Sequence, residues 1–182
     1  IHKMGVTLSF VPEDRLGMGL VGNMNLTDNI MLRSFRLSPD KNLDKGVVDR
    51  RTPRTIAGQI VDELEVVTPG LDTPVRRLSG GNVQKILVGR EIRNAPSVLL
   101  TAYAVRGLDI NSSYVIYDLM NQQKEKGVAV VYVGEDLDVL LELSDRILIL
   151  CGGKVSGIVD GRTTNKYDVG LMMTSLGGGK TK

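Results

Sequence analysis

Three short apolar runs, separated from one another by stretches with a helical pattern, constrain the fold of this chain more than any other feature. The runs are Val98–Leu100, Val128–Val133 and Ile147–Cys151. The segments between them, Asn111–Lys126 and Leu137–Leu143, are predicted to be helices. Apolar strands that alternate with helices are typical of a parallel sheet whose two faces are both covered. The sequence therefore predicts an α/β fold.

Two further strands are predicted at the margins of this pattern. Residues Val6–Val11 alternate in character and stop at Pro12, which cannot donate a hydrogen bond to a sheet. Gly152 and Gly153 favour a tight turn that pairs the last apolar run with Lys154–Val159. The α/β core is thus expected to end in a β-hairpin.

The segment between the first predicted strand and the first apolar run has a mainly helical pattern. A short helix is predicted over Asp28–Phe35, with Thr27 as its N-cap. Five apolar residues mark one face of a second helix: Ala57, Ile60, Val61, Leu64 and Val67. Pro69–Gly70 is expected to end that helix. The connection Arg36–Arg54 is polar. For three of its arginines, Arg50, Arg51 and Arg54, a solvated basic face is favoured over a phosphate site.

The octapeptide Leu78–Lys85, with the sequence LSGGNVQK, opens a further amphipathic helix. A hydroxyl and two glycines at a helix start leave backbone N–H groups unobstructed at the positive end of the helix dipole. Gly80 and Gly81 let a phosphate approach the backbone where a Cβ would collide with it. From Ser79 and the two glycines alone, an ordinary serine N-cap followed by loose glycines is favoured. The whole octapeptide is far more specific.

Composition and charge count against several kinds of function. A net charge of +2 on 182 residues is too small to argue for a nucleic-acid partner, and the 2 Phe and absent Trp leave few stacking platforms. The single cysteine, Cys151, cannot form an internal disulfide, which fits a reducing cytosol. The single histidine, His2, argues against a histidine-based metal or catalytic site. No uncharged apolar stretch approaches the roughly 18–20 residues needed to cross a bilayer.

Four short motifs, one of them the tail of the octapeptide, occur in an order and spacing that resemble one protein family. They are Val11–Arg15 (VPEDR), Asn82–Lys85 (NVQK), Arg106–Asp109 (RGLD) and Gly134–Asp138 (GEDLD). From about Val6 to about Arg162 the chain resembles the later part of the nucleotide-binding domain of ABC-type ATPases, and the octapeptide resembles their signature motif. More narrowly, the chain is similar to the second of two fused ATPase domains in importers of simple sugars and nucleosides.

The resemblance implies a partial P-loop NTPase (ABC ATPase) core with a mainly parallel sheet, a helical subdomain insert and a C-terminal β-hairpin. The implied boundaries are about 24–96 for the helical subdomain with the signature, 1–23 and 97–162 for the α/β core, and 163–182 for a tail. The phosphate loop G-x-x-x-x-G-K-[ST], expected before the first strand, is missing from the sequence. Gly177–Thr181 imitates its end, but Thr174 replaces the earlier glycine, and we interpret this tail as disordered. The chain alone is therefore expected to bind ATP poorly.

In ABC dimers each ATP lies between the phosphate loop of one domain and the signature of the other. The resemblance implies that Ser79, Gly80 and Gly81 contact, in trans, the γ-phosphate of ATP held by a partner domain. Asn82 would add a polar contact, and Asp109 would lie in the loop that joins the two sites. ATP with magnesium, bound mainly by the partner domain, is the implied cofactor, and a second ABC nucleotide-binding domain is the implied partner.

Four positions where the family carries its chemistry hold other residues here. Ala102 stands at the position of the magnesium-binding aspartate, and Tyr103 at that of the glutamate that polarises the attacking water. Glu135 replaces the switch histidine, and Glu13 the glutamine after the first strand. Alanine cannot hold magnesium, tyrosine with a reference pKa of about 10 is a poor base, and the two carboxylates would repel a γ-phosphate. We therefore expect the nucleotide site that this chain itself forms, its own site, to be degenerate, with no catalytic residue and no metal ligand assigned. We also expect the chain to be inactive when it is alone.

The resemblance also implies a transmembrane permease subunit as partner and a cytoplasmic position on the inner face of the cell membrane. The loop with Glu13 and the helical insert would receive a helix of that subunit. Six apolar residues are candidates for the contact: Met18, Leu20, Val21, Met24, Leu26 and Met31. For Leu26 and Met31 a place in the core is favoured. Because part of the sheet is expected to be uncovered, self-association of the chain is also predicted.

Two alternative functions stay open. The first is a non-catalytic pseudo-ATPase that docks and dimerises but supports no turnover. The second is a soluble ABC protein of DNA repair or translation, against which the near-neutral charge and the scarcity of aromatic residues count.

Overall fold

The structure, a computed structural model, describes residues 5–34, 43–44, 47–48 and 50–174. Its strands are β1 (Leu8–Val11), β2 (Leu43–Asp44), β3 (Val47–Val48), β4 (Val98–Ala102), β5 (Ala129–Val133), β6 (Arg146–Cys151) and β7 (Lys154–Asp160). Its helices are α1 (Leu26–Ser34), α2 (Arg51–Glu63), α3 (Gly80–Arg93), α4 (Ile110–Glu125), α5 (Leu137–Leu143) and α6 (Lys166–Thr174). The chain divides into two compact units between Val133 and Gly134.

Three strands of the first unit form a parallel sheet in the order β1-β4-β5. Leu8 of β1 lies beside Val98 of β4, and Leu99 of β4 lies beside Val130 of β5. The predicted parallel sheet is confirmed for these strands. The last apolar run does not extend it within the described residues, because β6 pairs with β7 in a separate antiparallel sheet of the second unit. The expectation that all three runs share one parallel sheet is therefore wrong.

Helices α3 and α4 cover one face of the parallel sheet, with α3 packed on β1 and α4 on β5. Ser9, Leu99 and Thr101 lie on this face and are fully buried. The Ser9 hydroxyl donates to the carbonyl oxygen of Glu91 at 2.9 Å, and the Thr101 hydroxyl donates to the sulfur of Met120 at 3.6 Å. The polar groups of this face are thus satisfied from the two helices.

The opposite face of the parallel sheet is apolar and open to solvent. Because side chains alternate across a strand, Leu8, Phe10, Val131 and Val133 share this face. Their exposed fractions are 43%, 38%, 47% and 43%, respectively. The expectation of a sheet covered on both faces is wrong for the described part of the chain. The expectation of an uncovered apolar face is confirmed.

The segment between β1 and β4 is mainly helical, and α3 is its most buried helix. Val83, Ile86 and Leu87 of α3 are buried. Helix α2 approaches α3 closely at Gly89, where a Cβ would lie 2.8 Å from Cγ2 of Ile60. The helical pattern of this segment thus reflects packing against α3 rather than isolated surface helices.

The N-cap of helix α1 lies two residues earlier than the sequence indicates. Asn25, not Thr27, is the N-cap, because its side-chain oxygen accepts the N–H of Asp28 at 2.8 Å. Thr27 lies inside the helix, where its buried hydroxyl has no partner among the described residues. The prediction of Thr27 as the cap is wrong, since two polar residues two positions apart compete for one role and packing decides between them.

Helix α2 also ends before its predicted stop. The N–H of Leu64 donates to the carbonyl of Ile60 at 3.1 Å, and Glu65 then adopts a φ of 49°. A left-handed residue at this point terminates a helix and redirects the chain. As a result Val66 is buried, while Val67, predicted for the apolar face, is 78% exposed.

The second unit is built on the β6-β7 hairpin, which confirms the predicted turn at Gly152 and Gly153. Alternate residues of β6 point inward, as expected for a strand with one buried face. Ile147 and Ile149 pack with Val169 of α6, a helix that the sequence did not predict and that lies in the segment interpreted as a tail. Gly177–Thr181, interpreted as disordered, lies outside the described residues.

Within the described residues, no helix combines the length and the apolar character that a membrane span requires.

Candidate functional site

The octapeptide forms the start of α3, as predicted. Ser79 is the N-cap, and its hydroxyl oxygen accepts the backbone N–H of Asn82 at 3.4 Å and the side-chain amide of Asn82 at 2.9 Å. The amide oxygen of Asn82 in turn accepts the N–H of Val67 at 3.0 Å. Asn82 therefore fixes the helix start to the segment after α2. The hydroxyl proton of Ser79 remains available to donate.

The two glycines of this turn face different neighbours. A Cβ at Gly80 would lie 3.2 Å from Nη1 of Arg15. A Cβ at Gly81 would lie 2.6 Å from the hydroxyl oxygen of Ser112 and 3.6 Å from a carboxylate oxygen of Asp109. Packing against Ser112 thus favours glycine at position 81, in addition to any need for access to the backbone. The interpretation of the glycines as loose is wrong for Gly81.

Asp109 caps α4 immediately beside the start of α3. Its carboxylate accepts the backbone N–H of Ser112 at 2.9 Å and the hydroxyl of Ser112 at 2.7 Å. These hydrogen bonds, the backbone one first, hold the pKa of Asp109 below its ordinary value. The residue predicted for the loop between the two sites therefore lies close to Gly81, and the N-terminal ends of α3 and α4 meet there.

The loop after β1 reaches the same place. Asp14 accepts the N–H of Gly17 at 2.8 Å and so caps a single π-helical turn, Arg15–Gly19. From this turn the side chain of Arg15 donates through Nε to the amide oxygen of Gln84 at 2.8 Å, and through Nη2 to the carbonyl of Arg106. Burial lowers the pKa of Arg15, and the neighbouring Glu13 carboxylate partly offsets this effect.

Three of the four positions that differ from the family pattern, Glu13, Ala102 and Tyr103, lie at or just after the C-terminal ends of β1 and β4. Glu13 forms an ion pair with Arg106 at 2.6 Å, and the Arg106 guanidinium lies 5.8 Å from the ring centre of Tyr103. Tyr103 follows Ala102 at the end of β4 with a φ of 51°, a conformation that is strained for a bulky residue. The carboxylate that we expected to repel a phosphate is therefore paired with a guanidinium of the same chain.

The fourth position, Glu135, belongs to the second unit. It is exposed between β5 and α5, next to Asp136, which caps α5 by accepting the N–H of Asp138 at 3.0 Å. Among the described residues, no group of three His, Cys, Asp or Glu side chains is placed to hold a metal ion.

The six apolar candidates for a partner surface divide between surface and core. Met18, Val21 and Met24 are exposed, whereas Leu20 and Leu26 are buried. Met31 is half-buried. The core position favoured for Leu26 is confirmed.

The arginines predicted to form a solvated basic face are engaged with surface carboxylates. Arg50 pairs with Asp28, and Arg54 pairs with Asp72 at 2.8 Å, where both side chains are exposed. The exposed side chains of Arg50 and Arg54 agree with the predicted solvated position, while the paired carboxylates offset their charge.

Sequence reasoning missed the contributions of Arg15, Gln84 and Ser112. A weak signal existed for Gln84, a polar residue between Val83 and Ile86 on the apolar face of a predicted helix. A buried amide at such a position needs a partner from elsewhere in the chain. That partner is 69 residues away in the sequence and could not be inferred from local pattern.

Comparison with known proteins gives related sequences over most of this chain. The xylose import ATP-binding protein XylG of Moorella thermoacetica is 38% identical over 150 residues, which are 82% of this chain and 29% of that protein. The galactose/methyl galactoside import ATP-binding protein MglA of Escherichia coli is 31% identical over 168 residues, 92% of this chain and 32% of that protein. The chain thus spans about a third of the length of these curated relatives. No protein-family model matches it.

Solved structures with the same arrangement of elements are also known. The dimeric ABC cassette MJ0796, in a post-hydrolysis state with ADP and Pi, superposes with a TM-score of 0.69 at 22% identity, over 87% of this chain and 65% of that one. An inward-facing ABC transporter of the metal-chelate type superposes with a TM-score of 0.71 at 16% identity, over 92% of this chain and 63% of that one.

Proposed function

Because its fold is that of the ABC-type ATP-binding cassettes, we propose that this chain is part of the ATP-binding component of an ABC importer for simple sugars or nucleosides. Within that component it supplies the signature motif, in trans, to ATP held by a partner nucleotide-binding domain. The sugar importers among its relatives support the class of substrate.

The start of α3 is the observation that carries this proposal. Ser79 has a hydroxyl that can donate, and the N–H groups of Gly80 and Gly81 have no acceptor inside the helix because they belong to its first turn. The Arg15 guanidinium beside Gly80 adds positive charge. A γ-phosphate fits this set of donors, since phosphate oxygens are acceptors and the helix N-terminus favours negative charge.

Magnesium does not fit the nucleotide site that this chain itself would form. Ala102 has no side-chain oxygen, and the carboxylate of Glu13 already bonds Arg106 at 2.6 Å. Tyr103 offers only a phenol in place of a carboxylate base. These features support a degenerate own site, with magnesium and ATP bound mainly by the partner domain.

In the proposed arrangement this chain completes a site on the partner. The Ser79 hydroxyl and the backbone N–H groups of Gly80 and Gly81 donate to oxygens of the γ-phosphate, where negative charge must be stabilised during its transfer to water. Asp109 holds the adjacent helix start in place through Ser112. Contact of both domains with one phosphate keeps them together, and loss of that phosphate releases them.

A replacement of Ser79 by a bulky residue tests the role in trans. In the assembly of this chain with its partner domain, Ser79→Phe should abolish ATP turnover, because the ring fills the space of the phosphate. Thr55→Phe, at an exposed hydroxyl on α2, is the matched control and should leave turnover unchanged. Turnover that survives Ser79→Phe would refute the trans-catalytic role.

One alternative function is supported by a specific observation. At the nucleotide site that this chain itself would form, Glu13 pairs with Arg106, and Arg106 makes a cation–π contact with Tyr103. These contacts also suit a pseudo-ATPase that docks and dimerises without turnover. This alternative would be favoured if the assembly still dimerises and Ser79→Phe leaves its ATP turnover unchanged.

We further propose that the first unit docks on a transmembrane permease from the cytoplasmic side. Its surface for this contact is the exposed apolar group Met18, Val21 and Met24, next to the loop that holds Glu13. Methionine side chains adapt readily to the shape of a partner helix. Loss of membrane recruitment in Met18→Glu, with normal folding by circular dichroism, is the expected result.

The affinity of the chain alone for magnesium-ATP tests whether the nucleotide is bound mainly by the partner domain. We expect no binding below millimolar concentrations in calorimetry, because the donors at the start of α3 contact only one end of the nucleotide. Micromolar binding would mean that the chain holds a complete nucleotide site of its own.

A further inference from the structure

The side chain of Arg15 joins three segments of the first unit. Its Nε donates to the amide oxygen of Gln84, one turn into α3, at 2.8 Å, and its Nη2 donates to the carbonyl of Arg106 in the loop after β4. Its Nη1 lies 3.2 Å from the point where a Cβ of Gly80 would stand. The loop after β1, the loop after β4 and the first turn of α3 therefore meet at one guanidinium.

Both partners of this contact are held in place. Gln84 is fully buried, and its amide nitrogen has no partner among the described residues, so the bond from Arg15 is the hydrogen bond that its side chain makes there. Arg15 opens the π-helical turn, where its carbonyl accepts the N–H of Leu20 at 2.6 Å. Packed side chains and hydrogen-bond networks are the contacts through which a displacement passes from one segment to another.

A second arginine also attaches the loop after β1 to α3, but this one belongs to the helix and binds the loop. Arg90 of α3 donates through Nη2 to the carbonyl of Gly19 at 2.7 Å and is itself paired with the buried Glu91. Gly19 packs so closely on α3 that a Cβ there would lie 2.7 Å from Cδ2 of Leu87. The loop after β1 is thus attached to α3 at both ends, by Arg15 near the helix start and by Gly19 near its middle.

We propose that Arg15 is a positioning residue that sets the first turn of α3 relative to the loops after β1 and β4. The proposal rests on the proposed function, in which that turn donates to a γ-phosphate. Movement of the loop after β1, which carries Glu13 and leads to the exposed Met18, then reaches Ser79 and Gly80 through Arg15 and Gln84. Movement of the loop after β4 reaches them through the carbonyl of Arg106.

The residue type matters because an arginine places several donors in a rigid plane. Lysine has one nitrogen at the end of a flexible chain, and it can reach Gln84 or Arg106 but not hold both in fixed geometry. Arg15→Lys should therefore restore part of what Arg15→Ala removes. A residue that serves only as a source of positive charge would be replaced fully by lysine.

Amide hydrogen exchange of the chain alone gives the first test. In Arg15→Ala, the amides of Asn82 and Val83 should exchange at least about tenfold faster than in the unchanged chain, because the first turn of α3 opens locally more often. Arg93→Ala is the matched control. Arg93 also ties α3 to a neighbour, by bonds to Gln59 at 2.8 Å and Glu63 at 2.6 Å, but at the far end of the helix. It should leave exchange at Asn82 and Val83 unchanged.

Steady-state kinetics of the assembly with the partner domain gives the second test. Arg15→Ala should lower kcat by about tenfold, because misplacement of donors by a fraction of an ångström weakens stabilisation of the transferred phosphate. The KM for ATP should change by less than about twofold, since the partner domain holds the nucleotide. Arg15→Lys should give an intermediate kcat, and Arg93→Ala should match the unchanged protein.

The two proposals fail in different ways. If Ser79→Phe abolishes turnover while Arg15→Ala leaves kcat unchanged, the positioning role of Arg15 is wrong and the function in trans stands. If neither variant alters turnover, the function in trans is wrong, and the positioning role falls with it. A loss of kcat that is equal for Arg15→Ala and Arg15→Lys, with normal exchange at Asn82, would also contradict the positioning role.

Discussion

Gly81 shows at the scale of a single residue how packing and function share one position. Its absent side chain lets Ser112 lie where the Ser112 hydroxyl can bond Asp109 at 2.7 Å. The same absence leaves the backbone N–H of Gly81 accessible at the start of α3. The sequence predicts the second role, and the structure adds the first.

Gly81→Ala is expected to force the Ser112 hydroxyl away from Asp109 and to cost about 1 kcal/mol, the typical contribution of one hydrogen bond. In a Ser112→Ala background that bond is already absent, so the added cost of Gly81→Ala should largely disappear. Urea unfolding of the two single variants and the double variant measures this coupling. Gly170→Ala in α6, where a Cβ would meet open space, is the control for helix propensity and should not destabilise the chain. Strict additivity of the two substitutions would contradict the contact.

The lowered pKa of Asp109 makes a second prediction at this scale. Its carboxylate is hydrogen-bonded in the folded state and free in the unfolded state, so the unfolded chain binds the proton at higher pH. The stabilising effect is complete above the ordinary aspartate value of 3.8 and is lost as the pH falls through the lower folded value. An NMR titration of the Asp109 side-chain carbon should give a midpoint below 3.8. In Ser112→Ala, one of the two bonds is missing and the midpoint should rise.

At the scale of secondary-structure elements, the local sequence pattern predicted the structure correctly where only one residue could fill a given role. Ser79 caps α3 as predicted, and Gly152 and Gly153 turn the hairpin as predicted. Local pattern failed for the cap of α1, where packing chose Asn25. It also failed to show that β6, within the described residues, pairs only with its hairpin neighbour β7 and does not join the parallel sheet. The Arg15–Gln84 contact belongs to the second kind, since it depends on two loops and a helix that meet only in the fold.

The cap of α1 provides a direct comparison between the predicted and the observed residue. Asn25→Ala removes the acceptor for the N–H of Asp28 and should destabilise the chain by about 1 kcal/mol. Thr27→Val removes a buried hydroxyl without a partner among the described residues and should be neutral or stabilising. Thermal and urea unfolding measure both effects. A larger loss for Thr27→Val than for Asn25→Ala would restore Thr27 as the cap.

At the scale of the whole molecule, the uncovered sheet face is expected to decide how the chain behaves in solution. A parallel sheet is normally covered on both faces, because its strands are apolar on both. Here Leu8, Phe10, Val131 and Val133 remain exposed on one side. Such a contiguous apolar surface is typical of a site that binds another protein surface or causes association.

We therefore expect the chain alone to self-associate through this face. Light scattering during gel filtration should give a mass above that of the 19.8 kDa monomer at micromolar concentrations. The double substitution Phe10→Glu and Val131→Lys should shift the chain towards the monomer, because it places charges on the shared face. Val67→Lys, at an exposed valine outside the sheet, is the control and should not change the mass. A monomer that binds no apolar dye would contradict the prediction.

The same face also affects how the chain responds to denaturant. The urea dependence of the unfolding free energy is proportional to the surface newly exposed on unfolding. Side chains that solvent already reaches in the native state contribute little to that surface, and they contribute equally little to the heat-capacity change. The chain should consequently show a shallow urea slope and a flat stability curve for its length. A partner that covers the sheet would steepen both, so the slope itself would report whether the face is covered.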